Sequence, residues 1–180
     1  MNQSPCRMLR RCAATAALAC LAAALAAQAP KWKSFSYPEV GFRASFPSAP
    51  QADSRSQPAA TGPIEFHSYC SQVTETSLCV AVFVHGPEAT GLGPEFFVER
   101  IKQGVLAGDK TTKISETPIE LDGYKGVALE AENPLIHTST RIFLVGDTVY
   151  QSMVTSPVAG NYTDTARFLD SFRLIPRTQK

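Results

Sequence analysis

Two dipeptides, Asp122-Gly123 and Gly146-Asp147, constrain the fold of this chain more than any other feature. Asp-Gly between strand-like runs signals a two-residue type I′ hairpin, because both central residues of that turn need positive φ. Folding about Asp122-Gly123 sets Glu120 against Lys125 and Lys113 against Glu132, and opposite charges facing each other support that register. Gly146-Asp147 turns RIFLVGDTVYQSMV back on itself, with Phe143 opposite Tyr150 and Leu144 opposite Val149. Apolar pairs then fall on both faces, so this strand pair is expected near the centre of a sheet. Strands joined by tight turns run antiparallel, which predicts an α+β chain rather than a doubly wound parallel one.

The segment IEFHSYCSQVTETSLCVAVFV reads as a further hairpin, with Val73 to Thr76 at its polar centre. A turn centred between Thr74 and Glu75 places Cys70 directly opposite Cys79. Opposed residues of an antiparallel pair lie about 4.5–5.5 Å apart at Cα, within reach of a disulfide. A Cys70–Cys79 disulfide is therefore expected, with two buried free thiols as the alternative. Their separation excludes a CxxC redox pair, and two cysteines alone make a poor zinc site.

The other three cysteines, Cys6, Cys12 and Cys20, fall in a different kind of segment. Arg7, Arg10 and Arg11 precede an uncharged Ala/Leu-rich run of 16 residues, Cys12 to Ala27. A basic start, a short apolar stretch and small residues at its end describe a secretory signal peptide. The run is shorter than the roughly 18–20 residues of a membrane-spanning helix. Residues 1–27 are read as a signal peptide and 28–180 as one domain, exported to the periplasm or beyond. Two alternatives stay open: an uncleaved anchor, and a lipid on Cys20, since Ala17-Leu18-Ala19-Cys20 resembles a bacterial lipobox. The whole chain has 17 basic and 16 acidic residues; without the three leader arginines, 14 basic and 16 acidic remain, a net charge of −2. Such a domain is not built to track phosphates, so no nucleic-acid partner is expected. Contact with membrane is expected only through the signal segment or a lipid on Cys20.

Elsewhere the pattern is simpler. GFRASFPSAP alternates Phe42, Ala44 and Phe46 against Arg43 and Ser45, a strand with one buried face. Gln51 to Pro63 reads as a surface loop or weak edge strand. Pro94 opens a helix that ends before Gly108 and carries Phe97, Val98, Ile101 and Val105 on one face. That helix is expected to cover a sheet, although Gly104 inside it costs about 1 kcal/mol relative to Ala. A second helix follows Asn161 or Thr163 as its cap, and Phe172 to Ile175 looks like a last short strand.

The stretches FSYPEVGFRASFPSAP, RIFLVGDTVYQSMV and ARFLDSFRLI, in that order, make residues 32–176 resemble the small exported domains of the PsbP-like group. That group is itself similar to a nuclear-transport factor that binds Ran and to a set of bacterial periplasmic lipoproteins. The resemblance implies an antiparallel sheet flanked by helices in an α/β/α sandwich. It also implies binding or assembly factors rather than enzymes. It rests on apolar framework and carries no ligand or metal residue onto a position of this chain, and it does not imply the Cys70–Cys79 hairpin.

Chemical signatures are sparse. His67, His85 and His137 lie in three separate segments, no Ser sits in G-x-S-x-G, and no Cys–His signature is present. His67 and Tyr69 are expected at solvated or edge positions of the Cys70 strand. Gly91-Leu92-Gly93-Pro94 lacks a phosphate-loop pattern and reads as a helix-starting turn. Glu130 and Glu132 share a strand face, with Lys113 answering one of them; two carboxylates from one strand are too few for calcium. Asn161-Tyr162-Thr163 matches a glycosylation acceptor but is read as a helix cap. Trp32, Phe35 and Tyr37 either pin the start of the domain onto the core or form a recognition patch.

No catalytic residue, cofactor or metal ligand is assigned from these readings. The expected function is a non-catalytic exported binding or assembly module, with an unidentified protein or small ligand of the envelope as partner. The alternatives are a hydrolase with a scattered Ser/His/Asp site, and a lipid-anchored structural protein of the envelope.

Overall fold

The computed structural model describes residues 31–58, 62–85, 94–160 and 162–178. Residues 1–27, read as a signal peptide, lie outside these, as do Cys6, Cys12, Cys20, Gly91 to Gly93 and Asn161. Lys31–Lys180 forms one compact unit.

Ten strands and two helices make up the described residues. Strands β1 (Lys33–Tyr37), β2 (Phe42–Phe46) and β3 (Gln51–Gln57) come first, then the long hairpin β4 (Ile64–Val73) and β5 (Thr76–His85). Helix α1 (Pro94–Leu106) follows, then β6 (Thr112–Leu121), β7 (Tyr124–Glu132), β8 (Ile136–Val145) and β9 (Thr148–Pro157). The chain closes with α2 (Thr165–Leu169) and β10 (Arg173–Leu174). Every strand pairing is antiparallel. A seven-stranded sheet has the order β3-β4-β5-β9-β8-β7-β6, and a three-stranded sheet the order β1-β2-β10. The chain is thus α+β and mainly antiparallel.

The tight turns set the registers expected of them. Glu120 pairs with Lys125 about Asp122 and Gly123, whose φ values of 51° and 84° are both positive. Phe143 pairs with Tyr150 and Leu144 with Val149, and β9 is the middle strand of the seven. Cys70 pairs with Cys79, and their sulfurs lie at disulfide distance with the Cα atoms 4.2 Å apart.

The expected Lys113–Glu132 pair does not form. The register shifts between Lys113 and Ser115, so Thr112 stands opposite Glu132 and Lys113 opposite Ala131. A bulge inserts one residue into one strand, which slides everything beyond it by one place. The Lys113 ammonium bonds Glu116 instead, at 2.8 Å.

One face of the large sheet carries the main core. Leu78, Val80, Val82, Phe143, Tyr150 and Val154 bury there against Phe42, Phe46, Phe168 and Phe172 from β2, α2 and the segment before β10. Tyr69 joins them at 5% exposure, so the solvated or edge position expected for it is wrong. Its strand lies second from the sheet edge, and the small sheet covers that position; its hydroxyl still reaches Glu39 at 3.3 Å. Phe35 and Tyr37 pack edge or tilted against Phe46 and Phe42, and the Trp32 ring lies 4.7 Å beneath the Arg167 guanidinium. These aromatics fasten β1 to the core.

Helix α1 lies on the opposite face and packs on β7 and β8. There Leu129, Ala131, Thr140 and Ile142 are buried, and Lys102 of the helix makes ion pairs with Glu116 of β6 and Glu99. Helix α2 is only one turn long. Asp164 stands at its N-cap without a side-chain cap bond, whereas Asn161 or Thr163 was the expected cap.

Candidate functional site: a groove between helix α1 and the sheet

The apolar face of α1 does not close on the sheet along its whole width. Phe97, Val98, Ile101 and Val105 follow helical spacing, yet each is only half-buried. Beside them, towards β3, β4, β5 and β9, lies a cavity of about 670 Å³. That volume suits a small-molecule ligand.

Strand register builds its floor. Arg55, Phe66 and Phe83 form one cross-strand row, and Gln57, Ile64 and His85 form the next. Residues two apart on a strand share a face, so both rows look towards α1. The Phe66 and Phe83 rings lie 5.0 Å apart, and the Arg55 guanidinium sits 4.6 Å above the Phe66 ring. Met153 and Gln151 continue the floor, while Phe96, Phe97, Arg100 and Ile101 supply the helical wall. Among the described residues two arginines line the cavity and no aspartate or glutamate does. Among the described residues neither Arg55 nor Arg100 is in an ion pair.

His85 and Gln151 are the buried polar residues among the described lining of this site, and the His85 ring is the one without a partner there. His85 is 8% exposed, its ring stacks 3.7 Å from that of Phe97, and neither ring nitrogen has a hydrogen-bond partner among the described residues. Burial pushes its pKa below the usual value, against the pull of the Asp147 carboxylate.

The other histidines lie on the opposite face and apart from each other. The His137 ring has a carboxylate at each nitrogen, Glu130 at 2.9 Å from Nε2 and Glu132 at 3.1 Å from Nδ1. Ser139 Oγ also donates to Glu130, at 2.6 Å. Lys113 was expected to answer one of the two glutamates. Instead, cross-strand neighbours on β8 engage them, because Glu130 and Glu132 stand directly opposite Ser139 and His137. A smaller hollow of about 330 Å³ adjoins this corner, where Tyr162 stands with a buried hydroxyl that has no partner among the described residues. Among the described residues no group of three or more His, Cys, Asp or Glu is placed to hold a metal ion.

His67 lies near the sheet edge. Its Nδ1 is 2.8 Å from Ser54 Oγ, and its Nε2 is 3.8 Å from Glu65, beyond hydrogen-bond range. Ser54 and Glu65 are both exposed.

Arg55 and Arg100 were not singled out by the sequence. Only the pairing of β3 with β4 puts Arg55 beside Phe66, and only the docking of α1 brings Arg100 to the same cavity. The alternation of Arg55 with exposed polar neighbours on a weak edge strand was the one available signal.

No protein-family model and no curated protein sequence matches the chain. Solved structures do. The solution structure of cyanobacterial PsbP (CyanoP) from Synechocystis is 13% identical, with 81% of this chain and 93% of that one covered and a TM-score of 0.53. A Pseudomonas aeruginosa protein of unknown function is 9% identical over 71% of this chain and 84% of its own, with a TM-score of 0.34. A Bacteroides thetaiotaomicron protein is 12% identical over 82% of this chain and 50% of its own, at 0.38. The last two scores are too low to speak for a shared fold, and at 13% identity the first speaks for the fold alone. On the strength of its topology and this likeness, the chain has a PsbP-like fold.

Proposed function

We propose that this chain is an exported, non-catalytic binding module whose ligand site is the groove beneath α1. The observation that carries this reading is the half-open apolar cavity of about 670 Å³ under an amphipathic helix. A surface helix ordinarily buries its apolar stripe; here four stripe residues stay half-buried beside a hollow lined by aromatic rings. Export is supported by the leader pattern and by the Cys70–Cys79 pair at bonding distance, since such bonds persist in oxidising compartments. We read the layers as the α/β/α sandwich implied by the PsbP-like resemblance, with α1 on one face and α2 beside the small sheet on the other.

Gly104 offers a clean test. It lines the groove, and a Cβ there meets nothing within 4 Å, so a larger side chain at that position is expected to occupy the hollow. The neutral dye Nile red is expected to bind the full chain saturably, one per chain, and Gly104→Phe to abolish that binding without lowering the thermal midpoint. Equal dye binding by both forms overturns the reading.

A second reading, a hydrolase, draws on Ser54 and His67 at 2.8 Å. Its weakness is physical: an exposed sheet edge neither excludes water nor orients a carboxylate on the imidazole. Covalent labelling of Ser54 by a fluorophosphonate, lost in His67→Gln, is what this reading requires.

A further inference from the structure

We propose that the groove takes a small amphipathic anion, a long-chain carboxylate, with its chain over the Phe66–Phe83 row and its headgroup held by Arg55 and Arg100. This rests on the groove being the ligand site and adds the chemistry of what fills it.

Two observations converge on this chemistry. The first is the sign of the lining, which among the described residues has two guanidinium groups and no carboxylate. An apolar ligand alone would need no charge there, and a cation would meet repulsion from both. The second is placement. Arg55 stands at the β3 edge of the same cross-strand row whose inner members are Phe66 and Phe83. A ligand lying along that row has its chain on the rings and its end at the guanidinium. The ring of Phe66 also holds the Arg55 guanidinium from below, which reduces the freedom lost when an anion is bound. The planar guanidinium fork suits a carboxylate in particular.

Calorimetric titration of the full chain with dodecanoate, dodecan-1-ol and dodecylammonium separates the terms, because chain length is constant and only the head changes. Dodecanoate is expected to bind one per chain, at least about tenfold more tightly than dodecan-1-ol, with dodecylammonium weakest. Arg55→Gln and Arg100→Gln are each expected to weaken dodecanoate by about tenfold and leave dodecan-1-ol unchanged. Both arginines are exposed, so neither change threatens folding. Equal affinity for acid and alcohol, with no effect of either variant, overturns the anion while the groove stands. If Nile red and all three amphiphiles bind Gly104→Phe as well as the natural chain, both the groove and the anion fall.

Discussion

The hydroxyl of Tyr150, on the middle strand of the large sheet, donates to the main-chain carbonyl of Val40 at 2.9 Å. The neighbouring Gly41 has φ +80°, and a Cβ there would stand 2.8 Å from both the Tyr150 hydroxyl and Cγ of Arg177. Ile175 N–H donates to the Gly41 carbonyl at 3.0 Å. The turn before β2, the central strand and the C-terminal segment are thus tied at one point.

Tyr150→Phe keeps the ring and strips the donor. The Val40 carbonyl then loses its partner in a buried place, at a cost of about 1–2 kcal/mol. Urea unfolding followed by circular dichroism should show the lower midpoint with an unchanged slope. An unaltered midpoint would mean that the bond contributes nothing.

Two glycines should respond to the same substitution with opposite signs. Gly126→Ala sets a Cβ 2.5 Å from the Ile142 carbonyl oxygen and 2.5 Å from the Phe143 ring, and backbone cannot yield cheaply. A loss of about 1–3 kcal/mol is expected. Gly104→Ala adds a methyl to open space in a helix interior and should gain about 1 kcal/mol. Thermal midpoints of the two variants, measured side by side, check both signs.

Replacing Cys70 and Cys79 together by Ser opens a loop with a sequence separation of 9. The expected destabilisation is about 2–3 kcal/mol, and a thiol reductant added to the natural chain should produce the same fall. Reductant without effect on the natural chain would rule out the bond in solution.

Stability should decline on both sides of neutrality, for different residues. Burial, aided by Glu39, pushes the Tyr69 hydroxyl up to about 12, and burial with Asp164 pushes Tyr162 up to about 12. Raised folded values mean that the native state holds protons the unfolded chain releases above pH 10, so stability falls between pH 10 and about 12. His85 is shifted down from 6.5, so the unfolded chain takes up the proton first and stability falls as pH drops below that value. Urea midpoints across pH are the measurement. Tyr69→Phe should flatten the alkaline limb and His85→Leu the acid one.

Local chemistry made the hairpins legible. Asp122-Gly123 and Gly146-Asp147 demand particular turns, and each turn dictates its register for several residues outward. The error over Lys113 and Glu132 arose where a bulge intervened, since an extra residue in one strand leaves no mark in a pattern of alternation. Tyr69 was misplaced because burial on β4 depends on the small sheet laid over it, and that sheet joins β2 with β10 from the far end of the chain. The groove was illegible for the same reason. Its helical wall could be read from Phe97, Ile101 and Val105, but its floor needs β3, β4, β5 and β9 assembled side by side.

The two rims of the seven-stranded sheet are β3 and β6. Strand β3 is exposed along its full length and spelled QADSRSQ, with no large apolar side chain to offer a newcomer. Strand β6, at the other rim, carries Pro118, which lacks a donor, and the kink between Lys113 and Ser115. Either rim would otherwise be a template on which another copy could add an eighth strand and begin to aggregate. Polar spelling at one border and interrupted backbone at the other keep a wide, open sheet from growing past its own ends.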